Sequence, residues 1–479
     1  MVARPLFVAP ALGGEFDASL LANYFEDLPI CLLPYECSED AGRTLEGMAT
    51  KIVRRLRAVQ PFGPYHIAGY ASGGVLAYEI ATQLIGADQS VTFVGLLESE
   101  YYSDYYYAQP IPIPIHIFVA AGDQQTEERD DEGRIVRDGE GRGKFLGWDS
   151  VLSERQIRLI CVPGTHKTMM RGPNIQILGN MLVRAIRSAE ENPSESLERN
   201  YSPNYILQTG RRGTTPLFCI PGAGASVVSF IELIGELDSL RPILGFEPRG
   251  MDGLLVPHST VEAAADLYLA TTKETTEVGA VHLLGHSFGG WVAFDMALKL
   301  IKSQRKVASL TILDSEAPDE RGAELRQYTA NEVLRKWIDM LELVLGRPIE
   351  TLPVDLDSIN RAGHGQLLHE IMVRERLLPK GATPDVLRGP LRSFAQSLRT
   401  PYTPDAVYSG PVQLVVADDP RLDMESNRMQ QRDVADKWSK WAPHLTCAYV
   451  AGNHMTLLKP PYVHTIARIL KPQMDRANG

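Results

Sequence analysis

The sequence predicts two α/β domains in tandem, each a mostly parallel central sheet flanked by helices. Three observations carry this. The chain repeats itself, short β-branched and apolar runs alternate with amphipathic helical stretches inside each copy, and each copy holds a strand running into a small-residue turn and then a helix. The 479 residues allow two to four domains at about 100–200 residues each.

The repeat justifies the elements in order. The opening strand Pro5-Leu6-Phe7-Val8-Ala9, entering the turn Pro10-Ala11-Leu12-Gly13-Gly14, matches Pro216-Leu217-Phe218-Cys219-Ile220 and its turn Pro221-Gly222-Ala223-Gly224-Ala225. Tyr65-His66-Ile67-Ala68-Gly69-Tyr70-Ala71-Ser72-Gly73-Gly74 matches Val281-His282-Leu283-Leu284-Gly285-His286-Ser287-Phe288-Gly289-Gly290. The stretches that follow, Val75–Ala81 and Trp291–Ala297, read as helices. Val94-Gly95-Leu96-Leu97-Glu98-Ser99 matches Leu310-Thr311-Ile312-Leu313-Asp314-Ser315, and Cys161–His166 matches Tyr449–His454. The offset is 216 at Gly69/Gly285 and at Glu98/Asp314 but 288 at His166/His454. The second copy therefore holds a net insertion between its acid and its histidine.

These offsets set the expected domains: 1–187, a linker at 188–213 rich in Pro, Ser, Asn and Gly, and 214–479. The charged, glycine-rich stretch 124–143 reads as a surface loop inside the first copy.

Composition excludes other classes. With 44% hydrophobic and 22% charged residues the chain is an ordinary globular one, not disordered, fibrous or coiled-coil. No apolar run is long enough to span a membrane, and Leu6-Phe7-Val8-Ala9 is too short for a signal-peptide core, so a cytoplasmic location is expected. A net charge of −11 argues against a nucleic-acid partner. The five cysteines, Cys31, Cys37, Cys161, Cys219 and Cys447, are scattered without a Cys-x-x-Cys pair, so neither metal nor redox chemistry is expected. Cys161 and Cys219 lie in apolar strand-like runs and read as buried thiols.

Gly285-His286-Ser287-Phe288-Gly289 is a G-x-S-x-G motif between a strand and a helix. Such a turn lifts the serine hydroxyl clear of the sheet, the flanking glycines let the backbone close, and the next N–H faces a developing oxyanion. Serine needs a base and an orienting acid. His454, between the last strand and the last helix, is the candidate base. Asp314, at +27 from Ser287 and at a strand end, is the first candidate acid; Asp418 and Asp419, ending a later strand, are alternatives. The oxyanion donors are expected to be the N–H groups of Phe288 and Ala223. His286, His258, His364, His369, His444 and His464 lack the placement of a base and read as structural.

The second copy thus carries Pro-Gly-Ala-Gly after a strand, Gly-His-Ser-Phe-Gly-Gly, Leu-Asp-Ser with its aspartate at +27, and Gly-Asn-His near the end. With these motifs, residues 214–472 resemble the thioesterase domains that end nonribosomal peptide and polyketide synthetases. The resemblance implies two tandem α/β-hydrolase domains. It makes Ser287 the acylated nucleophile, Asp314 the acid and His454 the base. It implies no bound cofactor: the substrate arrives as a phosphopantetheine thioester on a peptidyl or acyl carrier domain, the expected partner, and leaves by hydrolysis or macrocyclisation. A stand-alone editing thioesterase or another serine esterase is the alternative. The insertion corresponds to the family's helical lid, about 316–409. Val333, Leu334, Trp337, Ile338 and Leu341, then Leu367, Leu368, Ile371 and Met372, then Leu391, Phe394, Ala395 and Leu398 independently follow helical spacing there. A monomer is expected.

The first copy departs from the pattern. Ala71 stands where Ser287 stands, and Ser72 falls on the place of Phe288. Glu98 replaces Asp314, and His166 is retained. The span from Glu98 to the next strand is too short for lid helices. It carries Tyr101, Tyr102, Tyr105, Tyr106 and Tyr107, which read either as an exposed interface or as cover for a sheet edge. This copy is expected to be catalytically inactive, with a scaffolding or docking role.

Overall fold

The computed structural model describes residues 4–11, 28–34, 44–102, 106–122, 128–129, 135–136, 144–191, 201–211, 213–272, 279–318, 326–350, 356 and 359–476. The chain divides into two compact units, Met1–Asn200 and Tyr201–Gly479.

The first unit is built from β1 (Leu6–Ala9), β2 (Ile30–Leu32), α1 (Leu45–Val59), β3 (Tyr65–Tyr70), α2 (Ser72–Gly86), β4 (Val91–Leu97), β5 (Ile115–Ala120), β6 (Ile157–Val162) and α3 (Asn174–Glu191). Its sheet runs β2-β1-β3-β4-β5-β6, and every pairing is parallel. Strands buried on both faces explain the continuous apolar runs of β1, β3 and β5. Leu6, Val8, Ala68, Tyr70, Phe93 and Leu97 meet the apolar side of α3, Ile175, Leu178, Leu182 and Ile186.

The second unit comprises β7 (Asn204–Gln208), β8 (Leu217–Ile220), α4 (Ile231–Leu237), β9 (Ile243–Phe246), α5 (Val261–Thr271), β10 (Val281–His286), α6 (Phe288–Lys302), β11 (Val307–Leu313), α7 (Ala330–Leu345), α8 (His364–Arg374), α9 (Arg388–Arg399), β12 (Val412–Ala417), α10 (Met424–Ser439), β13 (Leu445–Val450) and α11 (Val463–Arg476). The sheet order is β13-β12-β11-β10-β8-β9-β7, parallel except for β7 on β9. Side chains alternate between two cores. Phe218 and Ile220 point to the core holding α5, α6 and Trp438 of α10, whereas Leu217 and Cys219 point to the core holding α4 and α11. In both sheets the strand order reverses beside the strand that leads into the elbow, the position where open α/β sheets leave a crevice at their carboxyl ends.

The three helices α7, α8 and α9 lie between β11 and β12 and share an apolar cluster around Leu334, Ile338, Leu368, Ile371, Leu387 and Phe394. Local chemistry sets the bounds of α7. Thr329 and Glu332 form a capping box at its start, and Gly346 closes it in the left-handed conformation at φ 67°.

The repeat extends to individual buried contacts. Trp148 and Trp438 each donate an indole N–H to a backbone oxygen, of Ser99 and Ser315 respectively. On the elbow helices, Glu79 and Asp295 each accept from a tyrosine hydroxyl, that of Tyr106 and that of Tyr402. The strands also split the net insertion. From β4/β11 to β5/β12 the offset rises from 216 to 297, and at β6/β13 it falls to 288. The lid thus accounts for more than the whole net insertion, and the first copy takes part of it back between β5 and β6.

Three readings are adjusted by the structure. The 188–213 stretch is not wholly irregular: α3 runs to Glu191 and β7 occupies 204–208, whose Tyr-Ile-Leu run pairs with β9 despite its polar flanks. Tyr101 and Tyr106 are buried, the Tyr101 ring tilted against Trp148 with centroids 5.0 Å apart, so neither offers an interface; Tyr102 and Tyr107 are exposed, and Tyr105 lies outside the described residues. Cys161 is exposed because β6 is an edge strand, whereas Cys219 is buried in a central one. Most of the 124–143 stretch, and Cys37, lie outside the described residues.

Candidate active site

Ser287 sits between β10 and α6 at φ 54° and ψ −125°. A non-glycine residue there costs on the order of 1–3 kcal/mol, so surrounding contacts must hold the turn. Its N–H donates to Leu313 O at 2.8 Å, and its carbonyl accepts from Gly290 N–H at 2.8 Å. The flanking glycines are sterically required. A Cβ on Gly285 would lie 2.1 Å from Gly289 O, and one on Gly289 would lie 2.3 Å from Ile220 O.

Asp314 follows β11 in the left-handed region, at φ 46°. Its N–H donates to Val415 O at 2.7 Å, and its Oδ1 accepts from Ala417 N–H at 2.9 Å. Its Oδ2 lies 2.7 Å from Nδ1 of His454, on the loop between β13 and α11. The two other carboxylates are engaged elsewhere. Asp418 accepts from Gln431 Nε2 at 3.0 Å. Asp419 is bound by the Arg421 guanidinium, which holds its carboxyl below the usual carboxylate range. With Nδ1 turned to Asp314, the second ring nitrogen of His454, Nε2, takes no part in that contact.

The turn after β8 adjoins the elbow. A Cβ on Gly222 would lie 3.1 Å from Ser287 Cβ. Gly224, at φ 64°, lies under the lid: a Cβ there would come within 2.8 Å of both Phe394 Cβ and Pro390 O of α9. Ala223 packs against the lid cluster, and Phe288 opens α6 with its ring 5.9 Å from Trp291.

One contribution was not legible beforehand. His286 Nε2 lies 3.1 Å from His454 O, so this histidine holds the loop that carries His454. Burial, and then the neighbouring His454, push its pKa down to about 3. Of the other histidines, His258 is half-buried with its ring edge-on to Tyr268, His364 and His369 bond lid carbonyls, and His464 pairs with Glu236.

The first unit keeps the frame of this site. Ala71 stands at φ 49° and ψ −123°, almost the angles of Ser287, and Ser72 is the first residue of α2. Glu98 has φ 45°; its N–H donates to Phe118 O at 2.7 Å, and its Oε2 accepts from Ala120 N–H at 2.5 Å. Tyr70 replaces His286, and its hydroxyl donates to His166 O at 2.5 Å.

The thioesterase domain family model matches residues 4–109 and 215–474. The chain belongs to the thioesterase domain family. Membership of this family supports a hydrolase. Chondramide synthase of Chondromyces crocatus is 23% identical over 319 residues, covering 65% of this chain and 8% of that protein. Malpibaldin synthetase of Mortierella alpina is 37% identical over 118 residues, covering 24% of this chain and 2% of that protein. The chain thus spans a small part of these relatives' length. Among solved structures, a Vlm2 thioesterase domain bound with a dodecadepsipeptide is similar at 21% identity and a TM-score of 0.42, covering 56% of this chain and 96% of that one. Within this thioesterase chain, the family match reaches Glu98 but ends before His166 in the first unit, and in the second it includes Ser287, Asp314 and His454. Among the described residues there is no helix long and apolar enough to cross a membrane, and no group of three His, Cys, Asp or Glu side chains placed to hold a metal ion.

Proposed function

We propose that the second domain releases an acyl or peptidyl chain from a carrier-bound phosphopantetheine thioester through an acyl-Ser287 intermediate. The observation that carries this reading is the 2.7 Å contact between His454 Nδ1 and Asp314 Oδ2, tied to the elbow of Ser287 by the bonds from His286 Nε2 to His454 O and from Ser287 N–H to Leu313 O. His454 Nε2 takes the Ser287 proton as the hydroxyl oxygen attacks the thioester carbonyl. Asp314 holds the ring's orientation and stabilises the imidazolium. The N–H groups of Phe288 and Ala223 receive the oxyanion. Collapse expels the pantetheine thiol, which takes the proton from His454. Water, or an amine or hydroxyl of the chain itself, then attacks the ester and frees an acid or a ring.

The helices α7–α9 act as the lid over the acyl chain. The first domain, with Ala71 at its elbow, has no nucleophile at the apex; it is catalytically inactive and serves as a scaffold or dock for the carrier. The decisive experiment mixes the chain with acyl-loaded carrier and reads intact mass. Wild type is expected to show the acyl adduct on Ser287 and release, and Ser287→Ala neither. Full release by Ser287→Ala would reject the reading. Simple esters turned over as fast as carrier thioesters would favour a general serine esterase.

A further inference from the structure

Asn453, next to His454, is buried and makes bonds in two directions. Toward its own loop, Oδ1 accepts from Met455 N–H at 2.9 Å and from Thr456 N–H at 3.1 Å, while its backbone N–H donates to Thr456 Oγ1 at 2.9 Å. Toward the lid, Nδ2 donates to Leu343 O at 3.0 Å, across 110 residues of sequence. Leu343 lies in the last turn of α7, where backbone carbonyls have no partner within the helix and the helix dipole is negative. The amide N–H₂ therefore closes an open helix end with a side chain that belongs to the histidine loop.

The first unit supplies an internal comparison. Thr165 stands where Asn453 stands and builds the same turn. Its N–H donates to Thr168 Oγ1 at 2.8 Å, and its carbonyl accepts from Thr168 and Met169 N–H at 2.9 and 2.8 Å. In the second unit the corresponding bonds, from Thr456 and Leu457 N–H to Asn453 O, are both 3.0 Å. The turn thus forms with threonine, and Thr165 directs its hydroxyl to Thr168 Oγ1 at 3.0 Å. What Asn453 adds is an arm that reaches the lid, in the copy that has one.

We propose that Asn453 is a positioning residue that couples the seating of lid helix α7 to the placement of His454. A lid seated on its substrate fixes Leu343 O, Leu343 O fixes the Asn453 amide, and the turn from Asn453 to Thr456 fixes the intervening backbone of His454. The inference rests on the reading that His454 activates Ser287.

Asn453→Asp separates the two directions, because a carboxylate keeps both acceptor bonds and loses the donor to Leu343. Asn453→Thr installs the residue of the first unit. Both are tested in the full chain with an octanoyl N-acetylcysteamine thioester and with a fluorophosphonate that labels Ser287. Loss of one such bond corresponds to a factor of up to about ten. The expectation is a kcat and a labelling rate each reduced about tenfold in both variants, KM within about twofold, and faster amide hydrogen exchange at residues 343–346. Wild-type kcat and labelling in Asn453→Asp, or reduced kcat with unchanged exchange at 343–346, would overturn it. The wild-type chain decides the matter if a variant does not fold: a shared opening rate for the amides of 343–346 and 455–457 supports the coupling, and independent rates refute it. Ser287→Ala, run alongside, tests the underlying reading separately, since the exchange measurements do not depend on which residue is the nucleophile.

Discussion

The imidazole of His286 packs 5.0 Å from that of His454 and directs Nε2 to the His454 carbonyl oxygen at 3.1 Å. The first unit makes the same link with a different side chain, Tyr70, whose ring stacks 5.1 Å from His166 and whose hydroxyl donates to the His166 carbonyl. Residue 286 therefore serves as a buried donor that fixes the histidine loop, and proton transfer at that position is not required. A donor of different chemistry can replace it. His286→Tyr is expected to retain kcat/KM within about fivefold, while His286→Ala loses about tenfold or more, having left a carbonyl without its partner and a cavity beneath the ring. Release kinetics of the two variants, with their melting temperatures, check this; equal losses would mean that the bond to His454 O does not matter.

The elbows make a second comparison. Ala71 and Ser287 differ by only a few degrees in φ and ψ. Glu98 and Asp314 share their positive φ, and each carboxylate accepts from the N–H of the last residue of the next strand, Ala120 and Ala417. Ser287→Ala should consequently fold with an unchanged melting temperature, since the first unit holds alanine in that conformation, and lose on the order of 10⁴-fold or more in kcat. The converse variant, Ala71→Ser, is expected to gain fluorophosphonate labelling at position 71, at least tenfold slower than at Ser287. Peptide mapping by mass spectrometry reads both sites in one sample. Complete absence of label at position 71 would show that more than the nucleophile has been lost.

What could be read from the residues, and what could not, follows from how local each feature is. The elbow was legible because its residues sit together in one short turn: Gly285 is demanded by the turn's own backbone at Gly289 O, and Gly289 by Ile220 O of the neighbouring strand β8. An acid at +27 recurs in both copies, as Asp314 and Glu98, whereas the partners of Asp418 and Asp419, Gln431 and Arg421, are visible only in the fold. Asn453 left no sign, because its partner is a backbone oxygen 110 residues away, and any residue type at 343 would supply that atom. The strand β7 was hidden for another reason: a short antiparallel edge strand needs few apolar residues and looks like a linker. The net insertion concealed two opposite changes, a long lid before β12 and a shorter connection after it, which only strand positions separate.

Stability should depend on pH in a defined window. Burial pushes His286 down to about 3 and His282 down to about 4, with the neighbouring His454 and Arg241 as the next causes. Unfolding returns both rings to an ordinary value near 6.5, so below that pH the unfolded chain binds more protons than the folded one. Stability is thus fully present above about pH 6.5 and falls as pH drops toward 4, by up to about 1.4 kcal/mol per pH unit for one such histidine. Urea midpoints of the second domain, measured from pH 8 to 4.5, are expected to be level above pH 7 and to decline steadily below 6. A midpoint that holds constant down to pH 4.5 would mean that the rings are protonated in the folded state.

The contact between Gly224 and α9 yields a prediction that separates lid from elbow. At φ 64° an L side chain is strained, and a Cβ would press within 2.8 Å of Pro390 O, a backbone atom that cannot swing aside. Gly224→Ala must then displace the first turn of α9, at a cost on the order of 1–3 kcal/mol. The atoms nearest the added Cβ all belong to α9, whereas the position whose Cβ would reach Ser287 is Gly222. Small fluorophosphonates, which need only the nucleophile and its base, should therefore label Gly224→Ala at close to the wild-type rate. A long acyl thioester, whose chain lies beneath α9 on the proposed reading, should show a KM raised about tenfold or more, corresponding to ~1.4 kcal/mol of lost binding. If labelling falls as much as long-chain turnover, the turn after β8 acts on the nucleophile directly; if neither changes, α9 yields freely and does not shape the acyl site.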